Sequence, residues 1–352
     1  MIAKSLNIKI IQALCLSTAL ASCGGGGGGS SASPVAAVAP PAPTYSYDKT
    51  DLGYTNKSWD VDTQMRRYHQ TEGVSFAGYG SYPISVSMVE SQDYIAITLS
   101  GTPTGPGSTE TFNYDFSLTT TSTAIAPLYD PSGTTVVAYL FGNSFSNAAL
   151  VGFTFDVDYL SSLNVEYTNI GFLDFFFNDY RDTFAFNYGD KTETGDMPTS
   201  GSATYGIAGQ LIFNIYESPS SIASLISEGT GSLTANFSSN SISGSLDFTR
   251  YYGYNNFLQA GANSQTQILG VPTATINFFD GSISGNHFTT STSVSSSGLS
   301  GTGVSQGSFF GPDGQETSGT FLLAVDPDTD TTGAYFWEMV GTFFGTCKPN
   351  SC

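Results

Sequence analysis

The chain has 352 residues, enough for two domains of ordinary size, each able to bury a core. Charged residues make up only 11% of it and the formal net charge is −19, which argues against nucleic acid or an anionic membrane surface as a partner. Many Thr, Tyr and Phe residues favour strands over helices, and the acidity favours solubility.

Residues 1–22 have the pattern of a secretory signal peptide. A basic start, residues 1–9, precedes an apolar run over 10–21 that is too short and wrongly flanked for a spanning helix. The motif LASC, ending at Cys23, resembles the lipobox of bacterial lipoproteins, which implies cleavage before Cys23 and lipidation of that cysteine. The alternative is an ordinary signal peptide. Gly24, where inner-membrane retention would favour aspartate, points to the outer membrane of a Gram-negative cell.

Residues 23–44 have the composition of a tether. Six glycines, Gly24–Gly29, precede Ser and then a stiffer Pro/Ala stretch over 34–43. About 20 residues at roughly 3 Å each could reach ~60 Å. The tether is therefore predicted to hold a folded domain away from a membrane.

Two cysteines remain once Cys15 leaves with the signal peptide and Cys23 takes lipid. These are Cys347 and Cys352, which bound a short C-terminal loop over 347–352. Export places them in a compartment that permits disulfides, so a bridge between them is predicted. The alternative, a metal pair, would need two more ligands, and the neighbouring sequence offers none.

Residues 45–196 have an irregular β pattern with long Gly/Ser/Pro-rich loops. The strand candidates are Ser91–Leu99, Glu110–Leu118, Thr134–Phe141, Ala149–Tyr159, Asn164–Phe177 and Arg181–Tyr188. Four aromatic residues at a predicted hairpin tip are candidates for contacting a partner: Phe175, Phe176, Phe177 and Tyr180. The alternative is that they are ordinary strand residues.

Residues 197–346 show a cleaner alternation. Between Ala203 and Ile215, apolar side chains at every second position predict a long half-buried strand. Ser218-Pro219 then resembles a helix N-cap and first position, and Ile222, Leu225 and Ile226 have helical spacing. One short helix ending at Gly229 is predicted.

An internal repeat follows, because Thr234–Gly244 (TANFSSNSISG) matches Thr275–Gly285 (TINFFDGSISG). Each copy predicts strand, tight turn, strand, and Asp280-Gly281 is a two-residue hairpin signal. About eight strands fit between Gly201 and Thr346. Closing them removes free edges, so the predicted fold is all-β: an irregular handle domain followed by an eight-stranded antiparallel up-and-down β-barrel.

Four stretches together resemble the β-barrel domain of the transferrin-binding protein B family: MPTSGSATYGIAG, GSLTANFSSNSISGSLDF, GSISGNHF and GSFFGPDGQETSGTF. YTNIGFLDFFF and FNYGDKTETGDMPTSG resemble the end of the handle domain that precedes such a barrel. The resemblance covers roughly Val165 to Thr346 and implies a single handle–barrel lobe on the outer surface.

That resemblance implies capture of an iron- or haem-carrying protein, or haem itself, for uptake through an outer-membrane TonB-dependent transporter. The alternative is an adhesin or other surface-interaction lipoprotein with no iron-related ligand. Binding loops vary within such families, so no binding residue is carried over by motif. A long loop over Arg250–Asn263 supplies further candidate contact residues, which are Tyr251, Tyr252, Tyr254 and Phe257.

The residues indicate no enzyme, cofactor or metal site. His69 lies in a basic stretch expected at the surface, and His287 in the barrel repeat is expected to be a packing or surface residue instead of the base of a Ser-His-Asp triad. The alternative is that either histidine, or a tyrosine, serves as a haem ligand. Asp326, Asp328 and Asp330 alternate as in calcium loops, but Thr331 and Trp337 stand where an EF-hand needs Gly and Glu, so an exposed turn is predicted.

The stretch GSFFGPDGQETSGTF contains one acid with no evident partner, Glu316. Phe309-Phe310 are predicted to end one barrel strand and residues 311–314 to form a turn. Gly319 is expected to relieve a crowded bend in the next strand. Glu316 is expected to accept hydrogen bonds from backbone amides near the end of the barrel.

Overall fold

The structure is a computed structural model. It describes residue 46 and residues 57–69, 74–78, 84–88, 95–100, 113–114, 124–129, 136–145, 148–155, 157–177, 180–218, 221–253, 273–296, 299–327 and 337–347. The predicted signal peptide, the tether and Cys352 lie outside these residues. Within them, no helix has the length and apolarity needed to cross a membrane.

The first part of the chain forms a single antiparallel sheet, here called the handle sheet. Its strands are β1 Lys57–His69, β2 Val74–Gly78, β3 Ile84–Met88, β4 Ile95–Ser100, β5 Asn113–Tyr114, β6 Ala124–Tyr129, β7 Val136–Phe145, β8 Ala148–Phe155, β9 Thr168–Phe177 and β10 Tyr180–Gly189. The strand order is β5-β4-β3-β1-β10-β9-β8-β7-β6, and β2 also pairs with β1. β1 therefore lies in the middle of the sheet, with His69 as its last residue.

The handle sheet contains elements that the sequence did not indicate. The prediction missed β1, β2, β3 and β6, and it extended a strand through Tyr159. The chain instead forms a short helix, α1, over Val157–Ser162. Tyr159 of the predicted strand packs against the same cluster as the buried Leu160 and Val165, so this part of the chain reaches the core through a helix and a turn.

The second part forms a closed antiparallel barrel, which confirms the predicted fold class. Its strands follow one another in chain order: β11 Ser202–Ser218, β12 Ser221–Asn236, β13 Ser241–Gly253, β14 Ala274–Ser284, β15 His287–Ser296, β16 Leu299–Phe310, β17 Glu316–Pro327 and β18 Trp337–Cys347. Alternate residues point inward and are buried, among them Tyr205, Ile207, Leu211 and Phe213. Each strand thus contributes one face to a common core.

Phenylalanine rings fill the space that glycines leave in the interior. A Cβ on Gly341 would meet the ring of Phe321, and a Cβ on Gly319 would lie 2.7 Å from Cζ of Phe343. Gly319 therefore does relieve crowding, because it makes room for a ring from β18. The pairing of Gly319 with β16 and β18 is in regular register, so the crowding does not occur at an irregularity of the strand.

The predicted helix over 218–229 is wrong. Residues 202–218 and 221–236 form a hairpin of two long strands, β11 and β12. Leu225 points into the barrel core, whereas Ile226 belongs to a separate cluster on the outer wall. Because both faces of β12 are buried at this point, consecutive apolar residues imitate the spacing of an amphipathic helix.

The predicted tight turn at Asp280-Gly281 is also wrong. These residues lie within β14, where the pairing with β13 and with β15 shifts register, and Asp280 has a φ of 51°. They form a bulge of the kind that bends strands in barrels. The hairpin closes later, through Gly285 and Asn286, and Gly285 has a φ of 60°.

The two ends of the barrel differ. At one end, here called the short-turn end, residues 237–240, 285–286 and 311–315 connect successive strands. Pro312–Gly314 form a single 3₁₀ turn there, as predicted for this stretch, and the Tyr205 hydroxyl donates to the Gly314 carbonyl at 2.6 Å. At the other end, residues 219–220, 254–272, 297–298 and 328–336 of the four connections lie outside the described residues.

Candidate functional site

The handle sheet lies against the outer wall of the barrel along an apolar strip. Ile226, Ile212, Val340 and Leu322 are direct cross-strand neighbours in that order across β12, β11, β18 and β17, and are here called the apolar row. All four are at most 3% exposed. They form one cluster with residues of β9 and β10, including Ile170, Phe172 and Ala185.

The apolar row was not found by sequence reasoning, although a signal exists. On a strand with one buried face, apolar residues alternate with polar ones. Leu211-Ile212-Phe213 and Phe321-Leu322-Leu323 break that alternation because the strand is buried on both faces. Apolar triplets inside otherwise alternating strands therefore mark where the handle docks.

A polar cluster lies beside the apolar row and is centred on Asp62 of β1. Its Oδ2 accepts a hydrogen bond from the Ser308 hydroxyl at 2.6 Å, and its Oδ1 accepts one from the Lys191 ammonium at 3.0 Å. Asn187 of β10 donates to Asp62 and to Ser318 of the barrel. This carboxylate therefore joins the handle sheet, the segment that leaves it and the barrel wall.

His287 lies at the edge of this cluster in a geometry that does not fit a catalytic triad. Its Nδ1 is 2.8 Å from Oγ of Ser308 and 4.0 Å from the Asp62 carboxylate. In a triad the histidine stands between the acid and the nucleophile, but here the serine stands between the histidine and the acid. Ser308 is also fully buried. Burial and the nearby Lys191 charge lower the pKa of His287 despite the opposing charge of Asp62.

A buried ion pair holds β9 and β10 together on the face that carries the cluster. The Arg181 guanidinium donates to Oδ2 of Asp174 at 2.8 Å, and the Thr183 hydroxyl donates to Oδ1 at 2.6 Å. Asp174 has no exposed surface. A fully buried carboxylate requires such partners.

Glu316 forms a second polar connection between handle and barrel. It is the first residue of β17 and is 2% exposed. Its Oε1 accepts a hydrogen bond from the amide of Glu166 at 2.6 Å, and its Oε2 accepts from the amides of Tyr167 and Thr168 at 2.9 and 3.1 Å. The expected bonds to backbone amides are therefore present, and the amides belong to the segment that leads into β9.

The predicted contact residues whose backbone the structure describes lie on three strands, β9, β10 and β13. Phe177 and Tyr180 pair at the tip of the β9–β10 hairpin, nine residues from the ends that lie beside Glu316. Since Thr168 contacts Ser318 and Phe172 joins the apolar row, the tip extends away from the short-turn end. Tyr252 is the cross-strand neighbour of Ile226, so its strand leaves the barrel from beside the apolar row.

The other predicted residues have mixed outcomes. The structure does not describe the side chains of any of the aromatic candidates. Tyr254 and Phe257 lie wholly outside the described residues. Cys347 ends β18 and is disulfide-bonded, whereas its predicted partner Cys352 lies outside the described residues. Asp328 and Asp330 also lie outside them, and the described part of the chain contains no group of three or more His, Cys, Asp or Glu that could hold a metal ion.

Comparison with known proteins identifies the barrel. Residues 197–346 match the family model described as the C-lobe and N-lobe beta barrels of Tf-binding protein B. None of the curated proteins compared with the chain matches it.

Solved structures of transferrin-binding protein B also resemble the chain. One from Haemophilus parasuis Hp5 is 15% identical with a TM-score of 0.37, and 83% of this chain matches 45% of that one. Another, from serogroup B Neisseria meningitidis, is 13% identical with a TM-score of 0.38, and the shares are 82% and 44%. The intact Ap-TbpB, with N and C lobes, is 14% identical with a TM-score of 0.39, and the shares are 82% and 46%.

The chain therefore spans less than half the length of these structures. The family match coincides with the closed barrel, and the handle sheet precedes that barrel in the chain. The barrel, residues 197–346, is therefore similar to the beta barrels of Tf-binding protein B.

Proposed function

We propose that the chain is a surface lipoprotein of the outer membrane that captures an iron- or haem-carrying protein, or haem, for uptake. The observation that carries this proposal is the match of residues 197–346 to a family whose printed description names Tf-binding protein B. A captured cargo would pass to an outer-membrane TonB-dependent transporter, and no covalent chemistry is involved.

The handle–barrel contact supports a binding role. The apolar row, the Asp62 cluster and Glu316 hold the handle sheet against one side of the barrel wall. This arrangement holds the β9–β10 hairpin and the barrel strands in one supported framework. Rigid presentation reduces the conformational entropy that binding must remove, so such a framework suits the capture of a folded ligand.

A binding assay tests the ligand class. The purified protein is immobilised and exposed in turn to iron-loaded transferrin, haemoglobin and free haem, with albumin as the control. We expect retention of one of the three, and for haem a Soret band in the eluted complex. If none is retained, and capture from iron-starved growth medium also returns no iron- or haem-carrying protein, the adhesin function becomes the better explanation.

The membrane anchor is tested by Cys23→Ser. If Cys23 carries the lipid, this change removes the acceptor thiol, so we expect loss of labelling by radioactive palmitate and release of the protein from the membrane fraction. Cys347→Ser is the matched control, because it also replaces one cysteine, which is disulfide-bonded, but should retain the label. Labelling that persists in Cys23→Ser would contradict the anchor.

A further inference from the structure

We infer that Glu316 is a proton-coupled latch between handle and barrel, which holds most tightly when its carboxyl group is protonated. The carboxyl group belongs to the barrel strand β17, and the amides that it binds belong to Glu166, Tyr167 and Thr168 at the start of β9. Opening this contact separates the handle from the barrel at the short-turn end. The inference concerns docking of the handle and does not depend on the ligand.

The connection around Glu316 continues through the backbone. The amide of Asp190 donates to the Tyr167 carbonyl, and the amide of Gly311 donates to the Asp190 carbonyl, each at 2.9 Å. The Thr192 hydroxyl also donates to the Gly311 carbonyl at 2.7 Å. The segment before β9, the segment after β10 and the turn before Glu316 therefore form one hydrogen-bonded unit, in which Glu316 is the buried ionisable group.

No cation in the described part of the chain binds this carboxyl group. On the β9 side, the charged neighbour is Glu166, whose negative charge disfavours ionisation of Glu316. After β10, Lys191 is bound by Asp62 at 3.0 Å, and Asp190 carries the same sign of charge as Glu316. In the preceding turn, Asp313 is exposed. On β18, the neighbour Thr346 does not titrate, and Cys347 is disulfide-bonded.

Two opposing effects decide where Glu316 titrates. Burial raises its pKa from 4.5 to about 7, although the three amides act in the opposite direction. Because the docked pKa lies above the ordinary value, docking takes up a proton as the pH falls through about 7. The latch is therefore fully stabilised below about pH 4.5 and loses that stabilisation as the pH rises through about 7.

The geometry accommodates the protonated form. Oε1 has one amide donor, whereas Oε2 has two. A proton on Oε1 leaves Oε2 free to accept both of its amides. The neutral group thus keeps most of its hydrogen bonds and avoids the cost of a buried charge.

The test is hydrogen exchange at the amides of Glu166, Tyr167 and Thr168, measured on purified protein from pH 5.5 to 8.5 and corrected for the intrinsic rate. With pKa values of about 7 when docked and 4.5 when open, we expect the opening equilibrium to rise by about thirty-fold across this range. Glu316→Gln cannot titrate, so its corrected opening should be independent of pH.

Asp313→Asn is the matched control, because it removes an exposed acid from the same turn and should keep the wild-type pH profile. A corrected profile that is flat in the wild-type protein, or that gains protection as the pH rises, overturns the latch. So does an identical slope in Glu316→Gln. If Glu316→Gln does not fold, the wild-type and Asp313→Asn profiles decide the question, since both must show the predicted rise.

Discussion

Val340→Asp is expected to lower the free energy of unfolding by about 4 kcal/mol. Val340 is 1% exposed and lies between Ile212 and Leu322 in the apolar row, under the handle sheet. Removing a buried valine side chain costs about 1.5–3 kcal/mol. An unpaired carboxylate in the same place adds a desolvation cost. This added cost is limited, because the handle can separate from the barrel and let water reach the charge.

Urea unfolding followed by fluorescence gives the loss of stability, and hydrogen exchange locates it. We expect β9 and β10 to lose protection while the inward-facing residues of the barrel keep theirs, because residue 340 points away from the barrel core. Ser243→Asp is the matched control, since it adds the same charge at an exposed position of β13. If both variants behaved like the wild-type protein, the handle would not dock on the apolar row.

The barrel could be predicted from the sequence because its strands show a strong alternation of apolar and polar residues. Inward-facing residues such as Tyr205, Ile207 and Leu211 recur at every second position, and such alternation is a local property that survives without knowledge of partners. The docking surface could not be predicted in the same way. Whether Ile226 faces solvent or the handle depends on a sheet that precedes the barrel in the chain and ends at Gly189. Without that sheet, the apolar character of Ile226 suggested a helix instead.

The internal repeat led to the wrong prediction of a tight turn at Asp280-Gly281 for a related reason. Its two copies share residues, but residues 237–240 form a turn between strands, whereas the equivalent Asp280-Gly281 lies in a bulge. A dipeptide that permits positive φ serves either purpose. Ile242 is the cross-strand partner of Gly281 in the neighbouring strand β13, and the Gly285-Asn286 turn lies beyond the bulge. Long-range pairing therefore decides which of the two structures forms.

Glu316→Ala is expected to lower the free energy of unfolding by about 3 kcal/mol at pH 7.5. The change removes the acceptor for three backbone amides that lie between handle and barrel, and each buried donor left without a partner costs about 1–3 kcal/mol. The total is smaller than three such costs, because the variant no longer buries a charge and water can enter the space left by the side chain. Glu316→Gln should lose less, because its amide oxygen can still accept two of these bonds.

The neighbouring Gln315→Ala separates a loss at this carboxyl group from a general effect of changing the turn, and it should leave stability within about 0.5 kcal/mol of the wild-type value. The melting temperature and urea midpoint of the three variants provide the measurement. Affinity for whichever ligand the binding assay identifies should change little in Glu316→Ala at temperatures where the protein stays folded, since this carboxyl group faces the handle backbone. An unchanged melting temperature together with lost affinity would instead place Glu316 in the binding surface.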